Sequence, residues 1–275
     1  MSKRFTYYNT SFTSTPVGGF ILDDISSTPI YAWSFDRYLA SAWVGNPVVR
    51  LRREADNVEL DFTVEELTDG TAETWSAGGD AKSTIWYDQS GNGNDMYQLN
   101  QSYQYKMIIG GVMWRDSNGY PSSRGNVSGS IRGYTIPKFV LTGTDGAVFT
   151  AFKSSTPIGL GWRVMGGHGG NGNSYILGIN DIDGVTPQTI GDVYANGNLQ
   201  ATNLASVNLI ECLVNCIDID WTSNVIWQDP GNDNPVMFNY MNVETQLNEA
   251  IVFNAFDDAE RAQIETDQNT FYGYY

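Results

Sequence analysis

The chain has 275 residues, 41% of them hydrophobic and 13% aromatic, which supports a large packed core and excludes a disordered chain. Fifteen Lys and Arg stand against 31 Asp and Glu, a formal charge of −16, which argues against nucleic-acid binding and anionic membrane surfaces. Charged residues are sparse at 17% while glycines number 29, a mix suited to strands joined by tight turns rather than to a helical bundle.

The opening MSKRFTYYNTSF has no apolar stretch behind its basic residues, and no apolar run could cross a bilayer, so neither a secretory signal nor membrane insertion is expected. Residues 1–20 read as an attachment arm, separate from a domain over residues 21–275. Its aromatics Phe5, Tyr7, Tyr8 and Phe12 favour docking on a neighbour over a free tail. Thr28-Pro29 resembles a helix start, and Tyr31, Phe35, Tyr38, Leu39 and Ala42 recur at helical spacing, which predicts a short helix near the N-terminus. VVRLRR then alternates Val49 and Leu51 against Arg50 and Arg52, a strand whose basic side is a solvated face or ion-pairing edge rather than an anion site.

From Ile85 onward short strand candidates follow one another: IWY, MIIGGVMW, AVFTAF, SYILGI, LVNCIDIDW, NVIWQ and EAIVFN. Gly, Asn, Asp and Pro clusters separate them, the signature of an all-β sandwich or barrel. In LVNCIDIDW, Leu213, Ile217, Ile219 and Trp221 share one face and Asp218 and Asp220 the other. Cys212 and Cys216 on that strand are roughly 13 Å apart, beyond disulfide reach. Asp257 or Asp258 caps a short C-terminal helix.

RLRREADN (residues 50–57), ELTDGTAETW (66–75), WYDQSGNGN (86–94) and IIGGVMWRDSNGYPS (108–122) together resemble the concanavalin-like, laminin-G-type domains of bacteriophage structural proteins. They also look like the catalytic domain of the α-L-arabinofuranosidase B family. The closing ERAQIETDQNTFYGYY is similar to the terminal helix of the phage-type members. The resemblance implies a two-sheet antiparallel jelly roll, a fold used for glycan binding, glycan hydrolysis and scaffolding.

For the enzyme, the resemblance implies a nucleophilic Glu on the strand matching SYILGI, an acid/base Asp in a loop matching QDPGNDN, and a vicinal Cys-Cys pair. Ser174 to Ile179 holds no carboxylate and the Cys-Cys pair is absent, leaving Asp229 or Asp233 as an acid without its nucleophile. The single histidine, His168, lies in the glycine loop GGHGGNGN with no nearby carboxylate to fix it. DQSGNG places Asp88, Ser90, Asn92 and Gly93 at calcium-loop spacings, but Leu99 stands where the bidentate Glu belongs. A tight turn is expected instead, with Asp88 bonding backbone amides and Gly91 and Gly93 at positive φ. Asp229, Asp233 and Asn234 remain candidates for a calcium ion. Trp114, Trp162, Trp227 and Tyr240, beside Asp229, Asn232 and Asp233, are candidate sugar-binding residues.

The expectation is therefore a non-enzymatic bacteriophage virion surface protein, a head-fibre, tail-fibre or capsid decoration assembled in the host cytoplasm. Its arm would join other virion proteins or a homo-oligomer, trimer or dimer, and its lectin-like sandwich would meet host or mucosal glycans. The alternatives are a glycoside hydrolase of the arabinofuranosidase type and a structural sandwich with no ligand.

Overall fold

The computed structural model describes residues 19–116, 118–123, 132–136, 143–154, 162–167, 174–179, 192–200, 211–219, 236–241 and 245–274. In chain order the elements are α1 (Ile21–Asp24), β1 (Pro29–Ser34), β2 (Val49–Arg53), β3 (Glu59–Phe62), α2 (Val64–Thr68), α3 (Thr71–Trp75) and β4 (Ala81–Trp86). β5 (Met96–Tyr97), β6 (Lys106–Ile109), β7 (Val112–Met113), β8 (Arg132–Ile136), β9 (Gly146–Ser154), β10 (Trp162–Gly167) and β11 (Ser174–Ile179) follow. The chain then forms β12 (Asp192–Ala195), β13 (Asn198–Gln200), β14 (Glu211–Ile219), β15 (Val236–Met241), β16 (Thr245–Phe253) and α4 (Arg261–Tyr272).

The strands build two antiparallel sheets, so the all-β sandwich expected from the sequence is the fold. One sheet is ordered β1-β16-β9-β14-β12-β13; the other is ordered β11-β10-β15-β8-β5-β4-β2-β3, with β6 and β7 attached beside β4. Side chains alternate across each strand. On β1, Tyr31 and Trp33 enter the core between the sheets with Trp86, Tyr134, Leu51, Phe62 and Val252. Ala32 points the other way, into a layer formed by Phe149, Ile251, Phe253 and Ile264 of α4. Stacked rings tighten the inner layer: Phe35 lies 4.0 Å from Trp86 at an interplanar angle of 10°, an arrangement worth about 0.5–1.5 kcal/mol beyond its buried area.

The helix expected after Thr28-Pro29 is not formed. Pro29–Ser34 is a strand paired along β16, with Ala32 opposite Ile251 and Trp33 opposite Ala250. Tyr31, Trp33 and Phe35 also fit a period of two, and burial of all three rings against the opposite sheet selects the strand. Only a single 3-10 turn, Ser41–Trp43, follows, and the helical piece near the N-terminus is the four-residue α1.

Other expectations hold in part. Val49 and Leu51 are buried and Arg50 is half-buried on the other face, but Arg52 beside it is buried rather than solvated or ion-paired. MIIGGVMW divides into the hairpin β6–β7 around Gly110 and Gly111, both at positive φ. In LVNCIDIDW the expected single face is not kept: Ile217 packs in the layer with Ile264 of α4 and Ile219 in the core between the sheets, because a register shift between Cys216 and Ile219, with Asp218 exposed and at φ 55°, reverses the alternation. Cys212 and Cys216 lie on the single strand β14, opposite Phe152 and Val148 of β9. Asp257 caps the turn that leads into α4 by accepting from Ala259 N at 3.0 Å. NVIWQ and Trp221 lie outside the described residues, as do residues 1–18 of the arm. Among the described residues no helix is long and apolar enough to cross a membrane.

Candidate functional site

Three polar constructions interrupt the apolar layers. The first is the WYDQSGNGN segment, which covers the open edge of β1. An edge strand presents unpaired amides and carbonyls, and this turn takes them one by one. Ala32 N donates to Asp88 Oδ1 at 2.9 Å and Gln89 N to Ala32 O at 2.7 Å. Asn92 Nδ2 donates to Pro29 O at 2.9 Å, and Gln89 Nε2 to Ser34 O at 3.0 Å. Asp88 also accepts from Ser90 N, Ser90 Oγ and Asn94 N. Gly91 and Gly93 have φ of 85° and 71°. The expected turn is present, and the Asp88 carboxylate is committed to backbone amides of its own loop and of β1.

The second construction ties α4 to the sandwich. Arg37 donates through Nε to Glu249 Oε2 at 2.7 Å and through Nη2 to Glu249 Oε1 at 3.0 Å, and pairs with Asp267 of α4. Glu249 further accepts from Gln268 Nε2 at 3.0 Å and Tyr272 OH at 3.2 Å. Beside this clamp Asn248 Nδ2 donates to Asp36 Oδ2 at 2.8 Å and reaches Asp116 Oδ2 at 3.4 Å. Burial, then the neighbouring Asp116, pushes the Asp36 carboxyl well above the usual range. These groups are closed off from solvent and act as a buried fastening.

The third is open. On the outer face of the larger sheet lies a cleft of about 530 Å³. Its floor follows from the alternation of β2: with Val49 and Leu51 inside, Arg50 and Arg52 face outward, opposite Asp61 and Glu59 of β3. Arg50 is neutralised by Asp61 through two hydrogen bonds, at 2.6 and 2.8 Å, and Tyr87 OH donates to the same carboxylate at 2.7 Å. Hydrogen bonding from Arg50 holds the Asp61 carboxyl below its usual range. Arg52 is handled differently. Nε donates to Gln104 Oε1 at 2.9 Å and Nη1 to Asn57 Oδ1 at 2.7 Å.

The wall is the segment from Gln98 to Gln104. Gln98 N donates to Thr84 O at 2.8 Å, and Gln104 Nε2 donates to Gln98 O at 2.8 Å. Gln104 therefore has a fixed amide orientation, with its oxygen toward Arg52. Tyr97, paired with Ile85 across β4 and β5, supplies ring surface, and Leu99 at the rim is 82% exposed. Asp95 also lines the cleft; burial raises its carboxyl above the usual range. Amides, guanidinium groups and an aromatic ring around an open cavity make a surface able to hold a hydroxyl-rich ligand.

Trp114 is half-buried and is not part of the cleft lining. Trp162 is on β10, and Tyr240 is on β15 opposite Arg163. Trp227, Asp229, Asn232, Asp233, Asn234 and His168 lie outside the described residues. Ser174–Ile179 is indeed a strand, β11. Among the described residues no group of three or more His, Cys, Asp or Glu is arranged to hold a metal ion. The cleft went unforeseen because its wall, Gln98–Gln104, carries no motif; the one available signal was the outward pair Arg50 and Arg52.

No protein-family model and no curated protein matches the sequence. Solved structures do match the fold. A GH54 α-L-arabinofuranosidase soaked with a cyclic sulfate inhibitor aligns at a TM-score of 0.50 and 15% identity, covering 92% of this chain. A mutant GH54 α-L-arabinofuranosidase soaked with 4-nitrophenyl α-L-arabinofuranoside aligns at 0.49 and 14% identity, again covering 92% of this chain. An arabinofuranosidase complexed with arabinofuranosyl-α-1,2-xylobiose gives 0.43 and 16%, with the same 92% coverage. In each case the alignment covers 64% of the solved chain. The arabinofuranosidase side of the sequence resemblance is thus matched in fold. This likeness goes against the expectation of a non-enzymatic bacteriophage virion protein, since the solved structure that shares the sandwich over 92% of this chain is a GH54 α-L-arabinofuranosidase.

Proposed function

We propose that the chain is a glycoside hydrolase acting on a furanoside-bearing glycan, with the cleft over β2, β4 and β5 as a sugar-holding surface. The carrying observation is that a sandwich like that of a GH54 α-L-arabinofuranosidase bears an open cleft of about 530 Å³ lined by amides, guanidinium groups and Tyr97. Hydroxyl-rich ligands are held by such fixed hydrogen-bonding groups with a ring for the apolar sugar face. Hydrolysis of a glycosidic bond needs two carboxyl groups flanking the bond. Ser174–Ile179 is carboxylate-free, so on this reading both carboxyl groups come from other positions.

The test is incubation of the full chain with 4-nitrophenyl α-L-arabinofuranoside and a panel of other aryl furanosides and pyranosides. The expected result is release of nitrophenol above the buffer rate. Replacing Gln98 with Ala should raise KM for the substrates cleaved more than it lowers kcat. Failure to cleave any aryl glycoside in the panel contradicts the proposal.

A further inference from the structure

Arg50 and Arg52 stand side by side on one face of β2, yet their electrostatic situations are opposite. Arg50 has its carboxylate partner in Asp61. Arg52 is only 4% exposed and donates to two neutral amide oxygens, those of Gln104 and Asn57. Among the described residues no carboxylate comes within ion-pair distance of it, although Glu59 lies directly across on β3 and is exposed. A guanidinium taken out of water without a counter-ion is costly, and a buried cation is ordinarily found paired. Nη2 and the second Nη1 proton remain for a ligand in the cleft that Arg52 lines.

The guanidinium is also held still. Gln104 grips Nε while its own amide is fixed by Gln98 O. Asn57, in the left-handed conformation at φ 61°, holds Nη1 and also receives a weaker contact from Gln101 Nε2 at 3.4 Å. A planar fork locked from two sides is preorganised to accept a carboxylate. Tyr97 and Leu99 at the same cleft offer apolar surface to the ring that would carry it. Two acidic groups face the ligand as well: Glu59, and Asp95, whose carboxyl burial biases toward the protonated form.

We infer that the cleft binds a uronic acid residue of its glycan, with the sugar carboxylate on Arg52. This rests on the reading of the cleft as a sugar-holding surface. It is independent of whether a furanoside bond is cleaved.

The experiment is calorimetric titration of the full chain with trigalacturonate and with neutral galactotriose at fixed ionic strength, with inorganic phosphate as competitor. Trigalacturonate should bind at least ten-fold more tightly, and Arg52→Gln should abolish the difference. Glu59→Gln, at an exposed position, should tighten trigalacturonate binding several-fold relative to galactotriose, a readout that survives if Arg52→Gln fails to fold. Equal affinity for the two trisaccharides, or a preference insensitive to Glu59→Gln, overturns the inference. Displacement of trigalacturonate by phosphate at equal concentration would mark a simple anion site and overturn the uronate assignment. Aryl furanosides hydrolysed without any uronate preference would sink this inference alone.

Discussion

Substituting Glu249 by Gln is the sharpest perturbation of the scaffold. The side chain is fully buried and accepts four hydrogen bonds, two from Arg37 and one each from Gln268 and Tyr272. Glutamine has nearly the same shape but carries a donor on one of the two positions where Glu249 carries an oxygen. Two of the four donors then meet an NH2 group, and Arg37 keeps only Asp267 as an ionic partner. Breaking a buried ion pair by removing one partner costs about 3–5 kcal/mol. Urea unfolding of wild type and variant at pH 7 should give a loss in that range with an unchanged m-value. Because α4 contributes Asp267, Gln268 and Tyr272, amide exchange within Arg261–Tyr272 should accelerate before that of β9 and β16. The double variant Arg37→Met, Glu249→Leu should cost less than the two single losses added, since it removes both charges together. A loss below about 1 kcal/mol for Glu249→Gln would refute the clamp as described.

Gly110 and Gly111 separate strain from close packing. Both have positive φ, but a Cβ on Gly110 meets nothing within 4 Å, whereas one on Gly111 meets Gly78 Cα at 2.7 Å. Gly110→Ala should cost about 1 kcal/mol, and Gly111→Ala at least about 1 kcal/mol more by thermal unfolding. Asp36 predicts a pH dependence: its folded-state pKa is raised, so its contribution is fully present below about pH 4 and is lost as pH rises. Asp36→Asn should therefore match wild type near pH 4 and gain melting temperature relative to it by pH 8. A difference that stays constant with pH would contradict the burial of an ionisable pair there.

Much of the sandwich was readable because burial imposes simple periods. Leu51 against Arg50 reveals its face in the sequence alone, whereas the register shift at Asp218 that puts Ile217 and Ile219 in different layers has no mark in the alternation. The glycines of SGNG announced their positive φ because no other residue adopts it as cheaply. Tyr31, Phe35 and Tyr38 misled, since aromatics spaced by four and three satisfy a helix while Tyr31, Trp33 and Phe35 satisfy a strand. The partner strand β16, more than 200 residues away, decided between them. The cleft was hidden for a related reason. Arg50 and Arg52 look equivalent in VVRLRR, and only the fold shows that one meets Asp61 and the other meets amides from a segment some 50 residues further on. The edge-covering role of WYDQSGNGN was equally non-local, because its acceptors sit on β1 rather than within the turn.

The central claim, that this sandwich hydrolyses glycosidic bonds in a furanoside-bearing glycan, is tested most directly by following an arabinoxylan digest by proton NMR. Resonances of free arabinose should grow with time in the presence of the full chain while bound arabinofuranosyl signals decline in step. An arabinoxylan spectrum unchanged after prolonged incubation with folded protein would contradict it.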